Sequence, residues 1–131
     1  MSTRLSAGDP WRFGARVYHP NGAPRAIRDA TSPHATMNPA TMDEYVTTDD
    51  DNGGVHVNST IVSHAAWLMT EGGGLGADAS SRIWFRALER YLTAQATFLD
   101  AADATVAASK DLGVDPQAVR AAWVAARVLR E

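Results

Sequence analysis

The chain has 131 residues, and 45% of them are hydrophobic against 21% charged, which suffices for one buried core and excludes a disordered chain. A net charge of −3 leaves no electrostatic footprint for nucleic acid. The lack of cysteine removes disulfides, thiol nucleophiles and cysteine-based zinc sites. No apolar run nears the roughly 20 residues a membrane helix needs, so a soluble chain is expected, and the opening MSTRLSAGDP lacks the apolar stretch of an export signal.

Five of the six prolines lie before residue 40, whereas half of the alanines lie at or beyond position 94. The chain therefore divides into an irregular first part and a second part rich in helix formers. In the first part, Phe13 and Val17 are four apart and suit one face of a short helix, although Gly14 weakens it. The stretch from His34 to Asp51 is polar, with Asn38-Pro39 and a Thr47–Asp51 run, and reads as a surface excursion.

Four helices follow. The first spans about 59–71, capped by Asn58 or Ser59, with Ile61, Ala65, Leu68 and Met69 inward and Gly72-Gly73-Gly74 as its stop. The second spans about 80–92, capped by Ser80 or Ser81, with Ile83, Trp84, Ala87, Leu88 and Tyr91 as its apolar stripe. The third spans about 97–112, capped by Thr97, with Phe98, Leu99, Ala102, Val106 and Leu112 inward and Gly113 at its end. The fourth opens on Asp115-Pro116, an N-cap followed by proline at the first helical position, and turns Val119, Ala122, Trp123, Ala126 and Val128 inward. The fold class expected is all-α: a compact bundle of four to five helices behind an irregular N-terminal region, with residues 1–9 a tail and 10–131 one domain. The alanines suit short interhelical distances.

The segment Asp51-Asn52-Gly53-Gly54-Val55-His56-Val57-Asn58-Ser59 carries the most chemical information. Its glycines favour a tight turn, placing the imidazole of His56 at a turn–helix junction near the carboxylate of Asp51. A carboxylate that accepts from one ring nitrogen fixes the tautomer, stabilises the imidazolium and leaves the other nitrogen free to act. The bland alternative is an incidental surface histidine after a Gly-Gly turn. The other histidines read as structural: His19 and His34 in exposed loops, His64 on an outer helix face. Arg82, Arg86 and Arg90 form a helical stripe, expected to be a solvated face paired with Glu89 and nearby acids.

DNGGVHVNS, followed by an Ala-Ala-aromatic-Leu helix and Gly-Gly, resembles the C-terminal half of the thermolysin family of zinc metalloendopeptidases. Ala26-Ile27-Arg28-Asp29-Ala30-Thr31-Ser32-Pro33 resembles that family's arginine segment, and Trp11-Arg12-Phe13-Gly14 its upstream tryptophan segment. Arg82–Leu88 with Tyr91-Leu92-Thr93, then Phe98–Leu112 and Asp115–Val128, resemble its last three helices. The likeness runs in order over about 9–130.

The resemblance implies a fold like the C-terminal lobe of thermolysin and a set of roles. His56 matches the histidine that stabilises the tetrahedral transition state, Asp51 its carboxylate partner, and Arg28 the arginine that binds a substrate carbonyl. Phe13, Val17 and Ile27 match the apolar pocket for the residue after the scissile bond. Zinc is expected only on an N-terminal lobe outside this sequence. No histidine here is followed by Glu and no two are four apart, so the family's His-Glu-x-x-His motif is absent. The calcium site is expected to be lost, because Arg12, Ala15 and Arg16 stand at its ligand positions and calcium needs oxygen ligands. The loop between the first two helices is also short, about Gly73–Ser80.

Two functional readings follow. In the first, the chain is the helical lobe of a thermolysin-like peptidase, inactive alone, whose partners are a zinc-bearing lobe and a peptide substrate. In the second, it is a stand-alone, non-catalytic peptide-binding or interaction module. Either way, the surface around Phe13, Val17 and Ile27 is expected to be an apolar cleft face able to drive self-association. The family is mostly secreted, while no export signal is read here, so localisation stays open.

Overall fold

A computed structural model describes residues 9–131 except Arg16 and Pro24; the 1–8 part of the expected tail and Arg16 of the expected calcium positions lie outside the described residues. Two short strands, β1 (Arg12–Phe13) and β2 (Arg28–Asp29), pair antiparallel with Arg12 opposite Asp29 and Phe13 opposite Arg28. Four helices follow: α1 (Asp51–Trp67), α2 (Gly76–Arg90), α3 (Phe98–Asp111) and α4 (Pro116–Ala125). The fold is thus all-α with an irregular N-terminal region, as the residue pattern predicts. Among the described residues, no helix is long and apolar enough to cross a membrane.

The core lies between the helices. Ile61, Ala65 and Met69 meet Ile83 and Ala87, Ala102 and Ala108, and Val119, Ala122, Trp123 and Ala126. The small residues of α3 let Trp123 enter the bundle, where it is fully buried. Its indole Nε1 donates to Thr105 Oγ1 at 2.8 Å, and Trp84 stands edge-on to it with ring centroids 6.0 Å apart. Aromatic edges of this kind add to the area term. Thr105 Oγ1 also lies within hydrogen-bonding reach of the carbonyls of Ala101 and Ala102, so the tryptophan is anchored to helical backbone through one hydroxyl.

The two C-terminal helices start where local chemistry dictates. Thr97 and Asp100 form a reciprocal capping box at α3, and Asp115 accepts from the Gln117 N–H ahead of Pro116 at α4. The first two helices start earlier than predicted. Right-handed helix begins at Val55 rather than 59, because Asp51–Gly54 form a left-handed turn that runs straight into it. The predicted cap Asn58 is instead buried inside α1. The helix α2 starts at Gly76, and Ser80, predicted to cap it, is buried and within 2.7 Å of Thr70 Oγ1. Between them, Leu68–Gly72 form one wide π turn, with the Gly73 N–H reaching back five residues to Leu68 O at 2.7 Å. A π turn accommodates one residue more than the α ladder does, so consecutive Met69 and Thr70 are both buried.

Other expectations are corrected. Phe13 and Val17 do not share a helix: Phe13 is in β1, and Val17 follows in a turn whose N–H bonds Gly14 O. Leu88, Tyr91 and Leu99, placed on inner stripes by spacing, are exposed. For Leu88 and Leu99 smaller neighbours (Ala87, Ala102) already fill the inner face, whereas Tyr91 lies past the end of α2 and its hydroxyl donates to Asp111. The 34–51 excursion is bound to the bundle: Pro39 and Ala40 are buried, Thr60 Oγ1 donates to Pro39 O at 2.7 Å, and the Met42 N–H donates to Ala126 O.

Replacing Thr105 with Val removes the acceptor of a buried indole N–H while keeping the shape. An unsatisfied buried donor costs about 1–3 kcal/mol. Denaturant unfolding should show a loss of that order in Thr105→Val and a much smaller one in Thr105→Ser, which retains the hydroxyl.

Candidate active-site cleft residues

The four residues Asp51, Asn52, Gly53 and Gly54 all have positive φ, of 54°, 51°, 87° and 78°. Asp, Asn and Gly are the residues that enter left-handed space at least cost. At Gly54 the space is closed as well, since a Cβ there would stand 2.9 Å from Asn58 Nδ2 and 3.3 Å from Val46 O.

This turn folds Asp51 back over the start of α1. Its Oδ2 accepts from the His56 N–H at 2.8 Å, and its Oδ1 lies 2.5 Å from His56 Nδ1. One carboxylate thereby caps a first-turn amide, where the helix end favours an anion, and orients the imidazole. The His56 side chain is 72% exposed. With Nδ1 committed to Asp51, Nε2 is the ring nitrogen left for a ligand. The hydrogen bonds from the His56 ring and then from the His56 N–H hold the Asp51 carboxyl below its ordinary range.

Arg28 reaches the same place from β2. Its Nη1 donates to Ser59 Oγ at 2.8 Å, and Ser59 Oγ donates to the His56 carbonyl at 2.8 Å. Ser59, read from sequence only as a possible helix cap, is therefore the link between arginine and histidine. The sequence signal available was its i+3 position after His56, which puts both on one helix face. Asp51, His56 and Arg28 are thus brought together.

Phe13 stands opposite Arg28 in the two-stranded pairing, Ile27 directly precedes β2, and the Ile27 N–H donates to Phe13 O. Phe13, Val17 and Ile27 are 44%, 81% and 53% exposed, so each presents an apolar side chain to water. Gly14, at φ +79°, lets Ile27 lie across it: a Cβ there would meet Ile27 Cδ1 at 2.7 Å.

Several of the other histidines and arginines are occupied elsewhere. His34 Nε2 pairs with Glu44 at 2.6 Å. His64 is not outward-facing as expected: its Nδ1 meets Ala30 O at 2.7 Å and its ring stacks on Trp67, fastening the β2 region to α1. Arg12, at an expected calcium-ligand position, pairs with Asp29 at 3.6 Å. Asp29 Oδ1 meanwhile accepts from the N–H groups of Thr31 and Ser32. Arg86 pairs with Asp111, not Glu89. Among the described residues no three His, Asp or Glu side chains converge as metal ligands.

Comparison with known proteins places the chain. Residues 2–128 match the family model described as thermolysin metallopeptidase, alpha-helical domain. The chain is 38% identical over 112 residues to neutral protease B of Bacillus subtilis (strain 168), covering 79% of this chain and 21% of that protein. It is 36% identical over 110 residues to bacillolysin of Bacillus caldolyticus, covering 78% and 20%. The solved precursor of protealysin, a metalloproteinase from Serratia proteamaculans, superposes with a TM-score of 0.70 at 29% identity, over 80% of this chain and 37% of that one. The chain belongs to the thermolysin metallopeptidase family. What it carries is that family's α-helical domain, about a fifth of the length of the curated relatives it matches.

The Asp51–His56 pair has a measurable signature. Because its folded-state pKa is depressed, the Asp51 carboxylate contributes stability above the unfolded value near 3.9, and that contribution is lost as pH falls through the lower folded value. Acid unfolding of Asp51→Asn should therefore be less steep below about pH 4 than that of the parent chain. Nitrogen-15 NMR of neutral His56 should find the proton on Nδ1 in the parent and redistributed between both nitrogens in Asp51→Ala.

Proposed function

We propose that this chain forms the helical wall of a peptidase cleft and supplies its transition-state histidine, with the metal-bearing chemistry provided by a separate lobe. The observation that carries the proposal is the Asp51–His56–Ser59–Arg28 chain, which holds a solvent-facing imidazole and a guanidinium in fixed relation beside exposed apolar side chains.

Hydrolysis of a peptide bond builds negative charge on the former carbonyl oxygen. In this reading an imidazolium at His56, its Nδ1–H held by Asp51, donates from Nε2 to that oxygen. A preorganised donor needs no reorientation as the charge develops. Arg28, with one N–H fixed by Ser59, presents the rest of its fork towards a neighbouring substrate carbonyl. Phe13, Val17 and Ile27 take the apolar side chain after the scissile bond. Alone, the chain binds without hydrolysing, because its residues offer no metal-activated water.

The second reading, a non-catalytic peptide-binding module, draws on Arg12: the guanidinium against Asp29 supplies internally the positive charge that calcium would bring. Joining the chain to a zinc-bearing thermolysin-like lobe separates the two. The first reading expects restored cleavage of peptides with a large apolar residue after the scissile bond. His56→Ala should then lower kcat by about 10²–10³, as loss of an oxyanion donor does. Persistent peptide binding with no cleavage in any such pairing supports the second.

A further inference from the structure

The outer face of α2 presents two large apolar side chains to water in mid-helix, Phe85 at 69% and Leu88 at 65% exposure. At about 100° per residue, Arg82, Phe85 and Glu89 fall on one outward stripe, opposite the buried Ser80, Ile83 and Ala87. Arg82 precedes Phe85 by three residues and Glu89 follows it by four, so the stripe reads cation, aromatic, anion over about 10 Å. Among the described residues neither Arg82 nor Glu89 has an ion-pair partner, while the neighbouring Arg86 is already neutralised by Asp111 at 3.1 Å. Beside Phe85 lies a shallow hollow of about 390 Å³ lined by Ser81, Arg82, Phe85, Arg86, Glu89 and Leu112.

A stripe with opposite charges on either side of an aromatic is self-complementary under a two-fold axis. We infer that this face binds a second copy of the same chain, α2 against α2 antiparallel, with Phe85 near the axis. In that arrangement Phe85 enters the hollow beside Phe85 of the partner subunit, and Leu88 faces the small Ser81 of the partner subunit. Arg82 reaches Glu89 of the partner subunit twice, once in each direction. Charge order sets the antiparallel register, because a parallel pairing would place like charges together. The face is made by α2 with Leu112 at its rim and is independent of the reading of the cleft.

Sedimentation of the purified chain over a concentration series tests this. Expected is a monomer–dimer equilibrium weakened roughly tenfold by Arg82→Glu or Glu89→Arg, since each turns two attractions into repulsions. It should be abolished by Phe85→Ser. The double variant R82E/E89R should dimerise like the parent, and an equimolar mixture of the two single variants should form the mixed dimer although neither dimerises well alone. All these positions are exposed, and an unchanged helical circular dichroism signal verifies folding. A chain that stays monomeric throughout overturns the inference. So does a dimer indifferent to the charge swaps, or one lost instead on Ile27→Asp, which would place association on the cleft face.

Discussion

Asn58 carries a side-chain amide that is almost wholly buried, and a buried amide without partners costs several kcal/mol. Its Oδ1 accepts from the Val46 N–H and its Nδ2 donates to the Val46 carbonyl, both at 2.9 Å. That pair clamps the incoming loop flat against α1 and leaves no room for a side chain at Gly54. With Gly54 bare and left-handed, the preceding three residues complete the turn that returns Asp51 to the helix start. The imidazole of His56 is therefore aimed by an amide two residues further along the helix, which never touches it.

The same logic explains which parts of the fold were legible in the sequence. The caps of α3 and α4 depend on residues within three positions of each other, and Thr97, Asp100, Asp115 and Pro116 announce them. The start of α1 does not work that way. Its capping carboxylate sits five residues ahead of the amide it serves, across three further left-handed residues that read as a loop, so the residue pattern puts the helix start too late. Leu88 and Leu99 have the spacing of core residues, but spacing identifies a face without saying whether smaller neighbours already fill it. In the cleft, Asp51 and His56 are close in sequence and their pairing was readable. The bond from Arg28 to Ser59 spans 31 residues, and only the fold brings those two side chains together; in the sequence, family resemblance alone singles out Arg28.

The irregular region before α1 is held by side chains rather than by sheet. Two paired residues per strand cannot stabilise themselves. The Trp11 indole instead donates to Glu71 at 3.0 Å, His64 holds the Ala30 carbonyl, and Thr60 holds that of Pro39. These ties run to the middle of α1, to its last turn and to the π turn beyond it. That helix is consequently at once a core element, through Ile61 and Ala65, and the rail along which Phe13, Ile27 and Arg28 are set relative to His56. Under the proposed function the inner wall needs this kind of rigidity, since a shift of about 1 Å at a reacting group is costly to catalysis.

The wide turn at Leu68–Gly72 has a consequence for how this sequence can vary in length. It holds one residue beyond the ordinary helical ladder, and the two glycines after it take up the change of direction into α2. Losing a single residue there would close the turn into regular helix and rotate everything downstream by about 100°. Met69 and Thr70 would no longer both face inward, and Ser80 would part from its hydroxyl partner. Substitutions that keep the residue count are absorbed locally, whereas a one-residue deletion misaligns the whole second half of the bundle with the first. Chain length, at this one point, is itself a folding constraint.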